Sequence, residues 1–246
     1  AFTKQLVVDR SIELTGGLER GSDSGVADGD GITSDTTPTF SGTTDPLARV
    51  TIQIGSTSVS VDADAVGAWT STPSAEITEG TYGWIISAVD AAGNDTNTLG
   101  TNLTGTIVID TTPPPLTNVG VQADFVDGTD DTTNDREITI IGQSEANAYI
   151  TLQIDGQEFT GRADGNGDFS ITTTTLSYAN HTYKVIAADA AGNESEFTDI
   201  VIIQPDFVPL EFDLADASNS GSVDDFLTNE NRPVIEGKGT PGSNLT

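Results

Sequence analysis

The chain has 246 residues, with 38 acidic against 9 basic side chains and a formal net charge of -29 at pH 7. A field of that sign repels nucleic-acid phosphates and anionic membrane surfaces and favours inorganic cations. With no Cys there is no disulfide, thiolate nucleophile or Cys-ligated metal, and no apolar run reaches the roughly 18 residues that span a bilayer.

Met is absent too, so the reading is of an excerpt whose Ala1 is a cut or processed start. "QLVVDR" (5–10) reads as the closing strand of a preceding unit, assigned to residues 1–12. The first complete unit is predicted over 13–112. In it Val50, Ile52 and Ile54 alternate with Thr51 and Gln53, and Tyr82, Trp84, Ile86 and Ala88 repeat the same period of two before "GTIVID" (105–110) closes the unit. The second unit, predicted over 113–206, repeats the first about one hundred residues further on. "DREITIIGQSEANAYITLQIDG" (135–156) overlays "DTTPTFSGTTDPLARVTIQIG" (35–55), Phe169 meets Trp69, Tyr183 meets Tyr82, and "AVDAAGNDT" (88–96) returns as "AADAAGNES" (187–195). "NRPVIEGKGTPGSNLT" (231–246) resembles 136–151, so 207–246 is predicted as the start of a further, truncated unit.

Short strands with turn residues about every 8–12 positions, and no stretch with a helical stripe, predict an all-β chain. About seven strands per hundred residues predict two-sheet β-sandwiches of immunoglobulin type, arranged end to end. Trp69 and Phe169 are the bulky aromatics expected to fill the two cores.

In such a sandwich the strand before "DAAGN" runs to the pole where the unit's own N-terminus enters, and the loops 43–48 and 144–148 reach the same pole. That brings Asp9 towards Asp45, Asp90 and Asn94 at a first joint, and Asp110 towards Glu145, Asp189 and Asn193 at a second. Carboxylates, Asn amides and loop carbonyls are the hard oxygen ligands that Ca²⁺ collects, six to eight at a time. The other reading is that DAAGN is a turn only, with Asp and Asn capping backbone amides and Gly at positive φ. The dense acids Asp23, Asp28, Asp30 and Asp35 leave a second calcium site and a solvated acidic loop both open. Asp164, Asn166 and Asp168 alternate as an EF-hand loop begins, but Phe169 stands where that loop needs Gly and Thr175 where it needs Glu, so a tight turn is expected. One histidine, His181, no Cys and no Gly-x-Ser-x-Gly elbow leave no thiol-dyad, serine-triad or zinc chemistry. The many carboxylates leave glycosidase chemistry open by residue type, but they repeat with the units and fall on predicted poles and not in a cleft, so the chain is read as non-catalytic.

Taken together, "DGDGITSDTTPTFSGTTDP", "DADAVGAW", "AVDAAGN" and "TIVIDTTPP" resemble the tandem bacterial Ig-like repeats of giant RTX-type surface adhesins, the biofilm and attachment proteins of Gram-negative bacteria. The resemblance implies an extracellular, cell-surface extender exported by type I secretion. It implies calcium bound at the joints, partners that are the neighbouring repeats of the same chain, and binding domains outside this segment for the host or surface ligand. Two rivals stay open. One is a self-assembling surface-layer or filament subunit; the other is a ligand-binding Ig-like module, which an aromatic cluster at a loop tip would favour and for which Phe125 and Phe226 are the loop aromatics available.

Overall fold

The computed structural model describes residues 8–122, 132–205, 211–214 and 231–238. The acidic stretches 124–131 and 215–225, Phe125 and Phe226 lie outside the described residues.

Eight strands build the first sandwich: β1 (Leu14–Leu18), β2 (Ile32–Thr33), β3 (Phe40–Thr44), β4 (Arg49–Ile54), β5 (Thr57–Asp62), β6 (Ala68–Ser71), β7 (Gly80–Val89) and β8 (Leu103–Ile109). They form a three-stranded sheet, β1-β3-β6, and a five-stranded sheet, β2-β8-β7-β4-β5. The second sandwich repeats the plan with β9 (Thr117–Val121), β10 (Thr132–Thr133), β11 (Thr139–Gln143), β12 (Tyr149–Ile154), β13 (Gln157–Arg162), β14 (Asp168–Thr172), β15 (Asn180–Ala188) and β16 (Glu194–Ile203). Its sheets are β14-β11-β9 and β10-β16-β15-β12-β13. In each, the two-residue strand joins the large sheet in parallel, β2 on β8 and β10 on β16, while the other pairings are antiparallel. A further antiparallel pair, β17 (Glu211–Leu214) and β18 (Ile235–Lys238), follows. The all-β, two-sheet architecture expected from the period of two is the one observed.

Alternation decides which face is buried. Val50, Ile52 and Ile54 point into the first core while Gln53 is exposed, and Ile150, Leu152 and Ile154 do the same in the second. Trp69 and Phe169 are buried in the two cores. Each lies across from a glycine on the neighbouring strand, Gly42 opposite Trp69 and Gly142 opposite Phe169. A Cβ at Gly42 would stand 2.7 Å from Trp69 Cζ2, and one at Gly142 would stand 2.5 Å from Phe169 Cζ. The glycine makes room for the ring in both sandwiches.

Two features depart from the sequence reading. Tyr183 does not take the place of Tyr82: Tyr183 pairs with Ile154 as Trp84 pairs with Ile54, so Tyr183 is the counterpart of Trp84. Trp84 and Tyr183 then stand the same six residues before Asp90 and Asp189, so the two strands are equally long, whereas overlaying the two tyrosines would need a two-residue difference. The first sandwich also holds a short helix, α1 (Thr96–Leu99), between β7 and β8. Asp95 caps it, accepting the Asn97 N–H at 2.8 Å, and Gly100 ends it in the left-handed region at φ 71. The second sandwich passes from its DAAGN turn directly into β16.

Candidate metal centre

Strand direction sets the poles. β4 and β7 pair so that Arg49 faces Val89, and β1 and β3 pair so that Leu14 faces Thr44. The 45–48 turn, the DAAGN turn and the incoming chain therefore share one end of the first sandwich. β7 and β8 pair so that Gly80 faces Ile109, which carries the outgoing chain to the other end.

At the entry pole the ligand oxygens of Asp9, Asp45 and Asp90 lie within 4.8 Å of one another, the only such acidic group among the described residues. No salt bridge reaches any of the three among the described residues. Asp90 is nine-tenths buried. Its Oδ1 accepts the backbone N–H groups of Ala92 at 2.9 Å and Asn94 at 2.8 Å, and its Oδ2 accepts the Asn94 amide at 2.6 Å. Desolvation opposes its ionisation, but the hydrogen bonds from Asn94, Ala92 and Gly93 outweigh it and hold the pKa below the usual aspartate value. Asp45 is more available: among the described residues its carboxylate accepts a single hydrogen bond, from the Glu13 N–H at 3.5 Å. The Asn94 amide also reaches the Ser11 carbonyl at 3.2 Å, tying the turn to the incoming chain.

The same arrangement recurs at the second joint. Asp189, 3% exposed, accepts the Asn193 N–H through Oδ1 and the Asn193 amide through Oδ2, both at 2.9 Å. That amide also donates to the Asp110 carbonyl at 2.9 Å. Glu145, though exposed overall, has its pKa pushed up, first by desolvation and then by the charges of Asp189 and Asp110. The four residues grouped by sequence thus meet at this joint, with carboxylate spacing looser than at the first. The linker is pinned on both sides. Glu79 accepts the hydroxyls of Thr112 at 2.8 Å and Thr111 at 3.1 Å, which lowers its pKa, and the Pro114 carbonyl accepts the Ser195 hydroxyl at 2.5 Å.

DAAGN is therefore a capped turn and a joint contact at once. The three carboxylates at the entry pole suit a hard divalent cation: they are acceptor-only, close enough to repel one another, and without a positive partner in reach among the described residues. Asp9, Asp45 and Asp90 would hold such an ion, with Asn94 orienting Asp90.

The acids between β1 and β3 are deployed separately. Asp28 pairs with Arg20, Asp30 Oδ1 accepts the Ile32 N–H at 2.9 Å, and Asp35 Oδ1 accepts the Thr37 N–H at 2.8 Å. Asp23 is buried, with Oδ2 taking the Gly29 N–H and Oδ1 without a hydrogen-bond partner among the described residues. Asp30 lines an inter-sandwich cleft of about 330 Å³ together with Val26, Glu145, Arg162 and Asp189. Sequence spacing could not show this, because the loop faces residues more than a hundred positions away. Asp164 closes its turn by accepting the N–H groups of Asn166 at 2.8 Å and Asp168 at 3.0 Å. His181 is a buried core residue, bonded to Asp155 Oδ2 at 2.7 Å and the Ser177 carbonyl at 2.9 Å.

A family model for a bacterial Ig-like domain matches residues 11–111, and a model for a bacterial Ig domain matches 127–204. No curated protein matches the chain in sequence. Among solved structures, the chain is similar to a Ca²⁺-stabilized adhesin that helps an Antarctic bacterium reach out and bind ice, at 19% identity over 85% of this chain and 53% of that one, with a TM-score of 0.39. It is similar to a tetra-tandem repeat in the extending region of a large adhesion protein, at 21% identity over 74% and 49% of the two chains, TM-score 0.32. A bacterial immunoglobulin-like domain from the M. primoryensis ice-binding adhesin is 25% identical over 37% of this chain and 97% of its own, TM-score 0.27. The chain spans about half the length of the first two.

Proposed function

Because the chain is built of tandem bacterial Ig-like domains, we propose that it is a non-catalytic extender segment of a large bacterial surface adhesin, made rigid by calcium at its joints. The segment is extracellular, reaches the surface by type I secretion, and holds distal binding domains at a distance for attachment and biofilm formation. One observation carries the calcium reading: three carboxylates from separate parts of the chain, Asp9, Asp45 and Asp90, converge to within 4.8 Å. Like charges placed so close in a partly desolvated joint repel, and a divalent ion reverses the sign. The repeat of the tether, Asn94 to Ser11 and Asn193 to Asp110, supports the same design at successive joints. An ion that binds the folded joint at one hundred times its Kd stabilises it by about 2.7 kcal/mol per site.

Calorimetric titration of the chain with calcium tests the reading. Saturable binding that is lost, at one site, in Asp45→Asn is the expected result. A chain that takes up no calcium, or an Asp45→Asn variant that binds as the parent does, would overturn the assignment of this centre.

A further inference from the structure

We propose that the second joint carries a latch that needs no ion: the 23–31 loop of the first sandwich is seated on the DAAGN turn of the second. The proposal deepens the extender reading and rests on it for its purpose, but its contacts are protein against protein.

The Ser24 hydroxyl donates to the Ala191 carbonyl at 2.6 Å, bridging residues 167 positions apart. Next to it, Gly25 has φ 102, and a Cβ there would overlap the Ala190 carbonyl oxygen. A Cβ at Gly192 would in turn stand 3.0 Å from both Cα and N of Gly25. The two backbones approach this closely because neither glycine has a side chain.

The repeat supplies its own comparison. The turns at 90–94 and 189–193 share the sequence DAAGN, and their glycines share a conformation, φ 89 at Gly93 and φ 85 at Gly192. Ala92 is exposed, whereas Ala191 is fully buried. Among the described residues, a Cβ at Gly93 meets nothing within 4 Å. At the second turn the neighbour is the 23–31 loop of the first sandwich.

That loop is braced before it meets its partner. Ser24 Oγ accepts the Ser34 N–H at 2.8 Å, Thr33 Oγ1 donates to the Ser22 carbonyl at 2.6 Å, and Asp23 takes the Gly29 N–H. A preformed loop loses little freedom when it docks. Latch and ion restrain the same joint from different contacts, so removing one leaves the other.

The absence of Cys allows two labels to be placed at will. In the full chain, Ser58→Cys and Thr160→Cys, both exposed and one on each sandwich, carry spin labels for pulsed electron–electron distance measurement. Gly192→Ala and Gly93→Ala impose the same backbone strain, but only the first strikes the opposite sandwich. In EGTA, Gly192→Ala is expected to widen the inter-label distribution at least twofold over both the parent and Gly93→Ala. Ser24→Ala adds neither bulk nor strain and is expected to widen it in the same direction by less. A Gly192→Ala distribution that coincides with that of Gly93→Ala, or a Ser24→Ala distribution identical to the parent, overturns the latch. The ion-stiffened reading fails on a separate axis, if the parent distribution is the same in calcium and in EGTA.

Discussion

The carboxylate of Asp189 closes its turn through Oδ1 and holds the Asn193 amide through Oδ2, while that amide also reaches the Asp110 carbonyl. Asp90 and Asn94 repeat the pattern onto Ser11. These residue types were legible as turn formers or as ligands, and one side chain serves the turn while remaining near the joint. Among the described residues, Asp45 has only one long bond to lose. Asp45→Asn should therefore leave the Tm in EGTA within about 2 °C of the parent and remove the calcium-induced rise contributed by its site, a pair of results that one calorimetric scan series checks. Asp164 makes a different prediction. The backbone N–H groups of Asn166 and then Asp168 hold its pKa below the usual aspartate value. A carboxylate more acidic in the folded chain than in the unfolded one stabilises above its unfolded pKa, and that contribution is lost as pH falls through the folded value. Asp164→Ala should flatten the acid side of the second sandwich's stability curve, as read by urea unfolding between about pH 5 and pH 2. An unchanged slope would mean that the turn does not depend on the charge.

Strands were the most legible elements, because a period of two with β-branched residues has one structural meaning when one face is buried. Val50, Ile52 and Ile54 went inward as the alternation required. The pairing of Tyr183 with Tyr82 misled because residue identity was followed where strand register decides; the cross-strand partner Ile154 places Tyr183 with Trp84. Helix α1 was missed because four residues are too few to show a 3.6-residue stripe, although its end signals, Asp95 and Gly100, are in the sequence. The aromatic plugs were legible by bulk, but the glycines that receive them were not, since Gly42 and Gly142 lie on other strands. Removal of Phe169 leaves a cavity against Gly142 that the sheet cannot collapse into. Phe169→Ala is expected to cost about 3–5 kcal/mol and to shift the second sandwich's unfolding transition alone, leaving the first at its own midpoint in a denaturant titration. A uniform shift of both transitions would mean that the sandwiches unfold as one body.

Across the whole molecule, a net charge of -29 works against compaction, and short pinned linkers concentrate part of that charge at the joints. The convergence of the Asp9, Asp45 and Asp90 carboxylates was legible because strand direction carries each residue to one pole. The acids from Asp23 to Asp35 were not legible in the same way. Their partners are Arg20, local backbone amides and, through Asp30, the next sandwich, and none of these follows from spacing within the loop. Glu145, raised in pKa by desolvation and by Asp189 and Asp110, marks the second joint as a place where charge is confined. Removing Asp189 together with Asn193 breaks the tether to Asp110 and should loosen that joint alone, with the first joint's calcium binding retained in calorimetry. Loss of binding at both joints would instead show that the two are coupled.

The most direct measurement is small-angle X-ray scattering of this chain, first in millimolar calcium and then in EGTA. The ion-stiffened extender predicts a maximum dimension that holds at the end-to-end length of stacked sandwiches in calcium and a distance distribution that broadens on chelation. Profiles that superimpose in the two conditions would contradict it, and would leave the acidic joints as capped turns in a spacer that calcium does not stiffen.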